Sequence, residues 1–171
     1  MEINDAKNLI GPAFENTDMP EYWADLGCGS GVFTRALAYC IKPGSIVNAI
    51  DKQMPAINSV NGVTIRCEKG DMETIDFSTR EFDGIMLANS FHYIKDKRKL
   101  LQRLDVHLKS PGKFLVIEYD TDRRNPWVPF PVSYQNLVAF FNDNGFNSVK
   151  KIGEINSVYG GRKMYAAMIN K

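Results

Sequence analysis

The sequence predicts an α/β fold: a doubly wound, mostly parallel seven-stranded sheet with helices on both faces and a C-terminal antiparallel hairpin. Three observations predict it. Short β-rich runs alternate with segments of helical periodicity, the pattern of a parallel sheet covered on both faces. The run EFDGIMLANS is apolar at consecutive positions, as a strand buried on both faces requires. The chain closes on two strand-like runs separated by GGR, and Gly160-Gly161 suits a two-residue hairpin turn.

The elements follow in order. NDAKNLIGPAF reads as one short helix ahead of the first strand, EYWADLG. In GVFTRALAYC, Phe33, Ala36, Leu37 and Cys40 fall on one helical face, and KPG stops the helix. SIVNAID is a second strand, QMPAINSV a short helix interrupted by Pro55, and VTIRCEKGD a third strand. After the fourth strand, EFDGIMLANS, the segment DKRKLLQRLDVHLKSPG reads as a helix closed by Pro111-Gly112. Leu100, Leu101, Leu104 and Leu108 face inward, and His107 in its last turn complements the helix dipole. KFLVIEY is the fifth strand. SYQNLVAFFNDNG is a helix capped by Ser133 and ended by Gly145. NSVKKIGEINSVY and KMYAAMIN complete the sheet.

Length and composition narrow the class. The 171 residues suit a single domain, 1–171, with 1–20 a short N-terminal segment and candidate partial lid. With 21 basic and 20 acidic side chains the net charge is +1, which leaves no electrostatic footprint for nucleic acid or a membrane surface. No apolar run approaches the ~20 residues that span a bilayer. Cys28, Cys40 and Cys67 form neither a disulfide framework nor a metal-site spacing, so a cytoplasmic location and no metal are expected.

ADLGCGSGVFTRAL, residues 24–37, carries the chemistry. A dinucleotide turn reads G-x-G-x-x-G around a pyrophosphate at a helix N-terminus. Here Val32 replaces the last glycine, and Asp25 sets a negative charge beside the bound group. That suits an amine-bearing ligand better than a phosphate. The form D-x-G-x-G-x-G is the signature of S-adenosylmethionine (SAM), which carries a sulfonium and an ammonium. Together with AIDKQM, KGDMETIDF, EFDGIMLANSFHYI and LKSPGKFLVIEY, in this order, the chain resembles the class I, Rossmann-like SAM-dependent methyltransferases. More narrowly, it resembles the small-molecule type that includes the ubiquinone/menaquinone-biosynthesis enzymes. The resemblance runs from about Tyr22 to the C-terminus.

The resemblance implies methyl transfer from SAM, with S-adenosylhomocysteine (SAH) as product. It implies cofactor contacts from Asp25, Gly27, Cys28, Gly29, Asp51, Lys52, Asp71, Met72 and Asn89. Asp51 would hold the ribose, since one carboxylate can accept from two vicinal hydroxyls. Asp71 and the Met72 N–H would meet the adenine edge; Asp71 also reads as a helix N-cap. His92, just past strand four, is a general-base candidate or a packing residue. Tyr93, Arg123, Arg124 and Trp127 are candidate acceptor contacts. The two arginines and the indole would clamp an anionic acceptor, or else form a solvated loop. The acceptor is read as a small molecule, and the chain as a monomer or homodimer. A nucleic-acid methyltransferase and a non-catalytic SAM-binding scaffold are the alternatives. The first lacks support because Asn89-Ser90-Phe91-His92 has no Pro-Pro-aromatic signature.

Overall fold

The computed structural model describes residues 1–14, 18–156 and 163–171. The expected Gly160-Gly161 turn lies outside the described residues. Seven strands form one sheet in the order β3-β2-β1-β4-β5-β7-β6. They are β1 (Tyr22–Leu26), β2 (Ile46–Asp51), β3 (Thr64–Lys69), β4 (Phe82–Ala88), β5 (Leu108–Tyr119), β6 (Ser148–Asn156) and β7 (Lys163–Asn170). The first five pair in parallel, and β7 runs antiparallel to both β5 and β6. Strand order reverses between β1 and β4, so the carboxyl ends of those two strands flank the crevice where such sheets bind ligands.

Alternation along β1 divides the chemistry. Ala24 and Leu26 join the core on one face, with Leu87 and Phe114. Trp23 points to the other face, against α1 (Ile3–Ile10) and α2 (Val32–Cys40), and Asp25 shares its parity. Asp25 is therefore buried by register rather than by affinity for the core. On α1, Ala6, Leu9 and Ile10 are buried and the polar residues are left on the outer face.

Two expected elements differ. Residues 53–59 form no helix: Pro55 supplies no N–H, and the Ile57 N–H donates instead to Cys67 Sγ at 3.4 Å, laying the segment along β3. The helix expected to reach Pro111-Gly112 ends earlier, as α3 (Lys97–Asp105). Leu108 belongs to β5, where it pairs with Phe82. His107 is accordingly not in a last helical turn; its Nδ1 lies 3.0 Å from the Arg80 carbonyl, and its ring stands edge-on to Phe77. The remaining helix, α4 (Tyr134–Asn142), has Ser133 as its N-cap as expected, and Gly145 follows with φ +89°. Asp122 and Asp120 also accept from the Ser133 and Tyr134 N–H groups at 2.9 Å each, so these two acids stabilise the start of α4.

Candidate active site

The glycine turn after β1 is anchored from β2. The Gly27 and Cys28 N–H groups both donate to the Ile50 carbonyl, at 2.8 and 3.1 Å. Gly27, Gly29 and Gly31 all take left-handed φ values of 78°, 52° and 78°. Their reasons for being glycine differ. A Cβ on Gly27 would lie 2.6 Å from Ser90 Cβ, whereas one on Gly29 would meet nothing within 4 Å. Gly29 keeps open space, and Gly27 permits a close crossing of two chain segments.

Asp25 lies below this turn with no exposed surface. The Thr34 hydroxyl, from the first turn of α2, donates to its Oδ2 at 2.5 Å. Its Oδ1 has no hydrogen-bond partner among the described residues. Burial pushes the carboxyl up to about 7; the Thr34 hydroxyl opposes the rise, and the Asp51 charge adds to it. Asn89, immediately after β4, is a second orphan. It holds φ +52°, donates its N–H to the Ile117 carbonyl at 2.9 Å, and leaves a buried Oδ1 unpartnered. A non-glycine residue in this conformation is a strain that the surrounding structure must hold.

Two cavities meet at these residues. The first, about 560 Å³, is walled by the glycine turn, Asp25, Asn89 and Tyr119, together with Asp5 and Asn8 of α1. The second, about 440 Å³, is walled by Asp51, Lys52, Gly70, Met72, Ser90 and Tyr93, among others. Gly27 and Asn89 belong to both walls. Asp51 accepts from the Gly29 N–H at 2.9 Å and from the Gln53 N–H at 3.0 Å, one oxygen each. Each oxygen retains a lone pair for a further donor. Cys28 lines the first cavity, and burial holds its thiol far above the usual range.

Asp71 is corrected. Its carboxylate is in neither of these walls: Oδ1 accepts from the Glu73 N–H at 2.9 Å, and Oδ2 pairs with Lys52 at 3.1 Å. Burial opposes ionisation, but the Glu73 N–H and the Lys52 ammonium outweigh it and hold the carboxyl below its usual range. Asp71 therefore caps the turn that carries Met72. Arg103 completes that turn by donating to the Met72 and Ile75 carbonyls.

His92 is buried, and its ring joins neither cavity wall. Glu118 takes hold of it twice: Nδ1 lies 2.7 Å from Oε2, and the His92 N–H donates to Oε1 at 3.0 Å. The carboxylate fixes the ring tautomer with its proton on Nδ1. The His92 carbonyl accepts from the Phe130 N–H at 2.9 Å, and Lys97 Nζ donates to the Phe130 and Ile94 carbonyls at 2.8 Å each. Burial draws the Lys97 ammonium down to about 8, with the Glu118 charge opposing. The loop after β5 is thereby pinned at Phe130, and its tip projects outward.

The arginine clamp is not assembled. Arg123 and Arg124 are exposed, Trp127 is 76% exposed, and none of the three lines either cavity. Arg124 lies instead over the Phe130 ring. Sequence reasoning missed Thr34 as the partner of Asp25 and Glu118 as the partner of His92. Thr34 sits one turn past the glycines at a helix start, a position that could have suggested a partner for Asp25.

The comparisons with known proteins agree with this fold. Residues 24–116 match the family model described as "Methyltransferase domain". The chain belongs to that family, the class I SAM-dependent methyltransferases. The ubiquinone/menaquinone biosynthesis C-methyltransferase UbiE of Pasteurella multocida is 24% identical over 144 residues, covering 77% of this chain and 48% of the relative. The chain thus spans about half the length of the curated relative it matches. Among solved structures, the YcgJ protein of Bacillus subtilis superposes with a TM-score of 0.71 at 15% identity, covering 98% of each chain. The 1,6-didemethyltoxoflavin-N1-methyltransferase of Burkholderia thailandensis, crystallised with bound 1,6-didemethyltoxoflavin and SAH, gives a TM-score of 0.70 at 19% identity, covering 99% of this chain and 77% of that one. At these identities the two structures show a shared fold.

Proposed function

We propose that this chain transfers the sulfonium methyl of SAM to a small-molecule acceptor by in-line displacement. The observation that carries the reading is the pair of buried, unpartnered oxygens, Asp25 Oδ1 and Asn89 Oδ1, beside an open glycine turn. A buried acceptor without a donor is costly, and the ammonium of SAM is a donor of the right charge for Asp25. The chemistry that SAM supplies is an activated methyl: the acceptor's lone pair takes the methyl carbon as the C–S bond breaks onto sulfur, SAH remains, and the acceptor's proton goes to water.

The residues present fit that cofactor. Asp51 would accept from the ribose hydroxyls in the second cavity, with Met72, Lys52 and Tyr93 around the nucleoside. Gly29 would leave room for the methionine moiety. The first cavity, beyond Asn89 and Tyr119, would hold the acceptor. Holding nucleophile, methyl and sulfur in line supplies much of the acceleration, so no general base is required of His92.

Among the described residues no helix is long and apolar enough to cross a membrane. We place the chain in the cytoplasm on its three free cysteines. Calorimetry against SAM, SAH and NAD, followed by transfer of labelled methyl from SAM into a metabolite extract, tests the function. Micromolar SAH binding with labelled product supports it. A chain that binds NAD and not SAH would refute it, and one that binds SAH without ever transferring methyl is a scaffold.

A further inference from the structure

Two of the walls of the first cavity come from elements that pack on each other. One is α1, through Asp5 and Asn8; the other is the end of the β6–β7 pair, through Ile155, Asn156 and Met164. How closely these walls approach is set just ahead of Ile155. The pairing of β6 with β7 slips between Lys151 and Gly153, which leaves Ile152 as the extra residue of a bulge. Ile152 and Ile155 pack on the same apolar cluster as Leu9 and Ile10 of α1. Gly153 lies two residues before Ile155 on the strand and so shares its face, toward α1.

The missing side chain of Gly153 is what lets α1 come so near. A Cβ there would run into the Leu9 carbonyl oxygen, and would lie 2.9 Å from Leu9 Cδ1 and 3.2 Å from the Leu9 carbonyl carbon. The obstacle is helix backbone, which cannot rotate aside as a side chain does. Gly153 holds no left-handed φ, so its backbone conformation is open to alanine and the approach of α1 is what a Cβ would change. Gly11, at the C-terminal end of the same helix, is the counterpart: it has φ −50°, and a Cβ there meets nothing within 4 Å.

We infer that Gly153 is a positioning residue for acceptor specificity: it seats α1 against the β6 bulge and thereby fixes the width of the first cavity. This rests on the proposed methyl transfer, with the acceptor in that cavity, and adds the contact that decides which acceptors fit. On this account α1 is a fixed wall rather than a cover that opens. No α1 residue lines the second cavity, so moving α1 should change acceptor binding and spare the nucleoside.

The experiment compares Gly153→Ala with Gly11→Ala. Hydrogen exchange of the α1 amides is followed by mass spectrometry and SAH affinity by calorimetry. Methyl transfer is followed as the initial rate of labelling of a serially diluted metabolite extract by methyl-labelled SAM. Gly153→Ala should speed exchange over residues 3–10 and raise the extract concentration for half-maximal rate about tenfold, with the maximal rate and SAH affinity each within about threefold, because a misplaced wall weakens acceptor binding and not the chemical step. Gly11→Ala should match the wild type in every reading. Where urea titration shows that Gly153→Ala does not fold, Ala6→Gly takes its place: it loosens α1 through helix propensity and adds no bulk at β6, and the same shifts are expected. Exchange like the wild type, half-saturation like the wild type, or an SAH affinity that falls in step with labelling each overturns the inference and leaves methyl transfer standing. A wild-type chain that binds SAH and labels nothing overturns methyl transfer, and the acceptor role of Gly153 with it.

Discussion

The Gly29 N–H donates to Asp51 Oδ2 at 2.9 Å, so the turn after β1 is held by the acid that ends β2. The residue proposed to bind ribose thus also shapes the turn proposed to cradle methionine. Asp51→Ala should weaken SAM by about 1–3 kcal/mol, the range for stranding polar partners. Asp51→Asn keeps an acceptor for Gly29 and should lose less. Calorimetry on the folded variants decides; unchanged affinity in Asp51→Ala removes Asp51 from the site.

Gly27 and Gly29 should separate stability from binding. Both hold positive φ, which costs a non-glycine residue about 1–2 kcal/mol. Gly27→Ala also drives its Cβ against Ser90 Cβ and Met72 Cε, at 2.6 and 2.8 Å, adding about 1–3 kcal/mol of overpacking. Gly29→Ala should fold with the smaller penalty and yet lose SAM, because its Cβ enters the first cavity. Urea unfolding and SAM titration of the pair read both effects. Normal SAM binding by Gly29→Ala would mean that the cofactor lies elsewhere.

Asp25 should make both stability and cofactor binding depend on pH. Burial raises its carboxyl from 3.8 to about 7, so the folded chain holds this proton more tightly than the unfolded chain does. Its contribution is full below the unfolded value, declines as pH climbs through the interval, and is lost above about 7. The change is on the order of a few kcal/mol. A cationic ligand favours the carboxylate, so SAM affinity should rise with pH up to about 7 and binding at pH 6 should release a proton. Asp25→Asn should lack both slopes. Calorimetry in buffers of different ionisation enthalpy checks this, and identical proton release by variant and wild type refutes it.

The His92–Glu118 pair should behave as a brace. His92→Leu keeps the backbone N–H on Glu118 Oε1 but strands the buried Oε2, at a cost of about 1–3 kcal/mol. His92→Gln can still donate to Glu118 and should cost less. Single-turnover methyl transfer by His92→Gln should fall by less than about 10²-fold and keep the wild-type pH profile. A larger loss with that profile abolished would make His92 a general base.

Arg123→Ala/Arg124→Ala should leave SAM affinity and acceptor KM each within about threefold, as for exposed side chains outside a site. A strong rise in acceptor KM alone would restore the clamp that the sequence suggested.

The sequence by itself determined the sheet, its parallel character, the glycine turn after β1 and the family. Those features rest on local signals: strand–helix alternation, three alternate glycines, and acids placed directly after β-rich runs. It also pointed to residues 1–20 as a candidate cover for the site, and α1 does line the first cavity. Periodicity could not decide where α3 stops. Leu108 fits a helical face equally well, and only its pairing with Phe82 makes it a strand residue. The surroundings of Asp71, His92 and Arg123 were likewise beyond its reach. Asp71 and His92 have partners 19 and 26 residues away, in Lys52 and Glu118, and Arg123 sits on a loop whose direction is set by Lys97 and His92 binding Phe130. A side chain's direction at a strand end depends on what other strands bring beside it. Only the tertiary structure could therefore show that Arg123 and Arg124 stand on an exposed loop, outside both cavity walls.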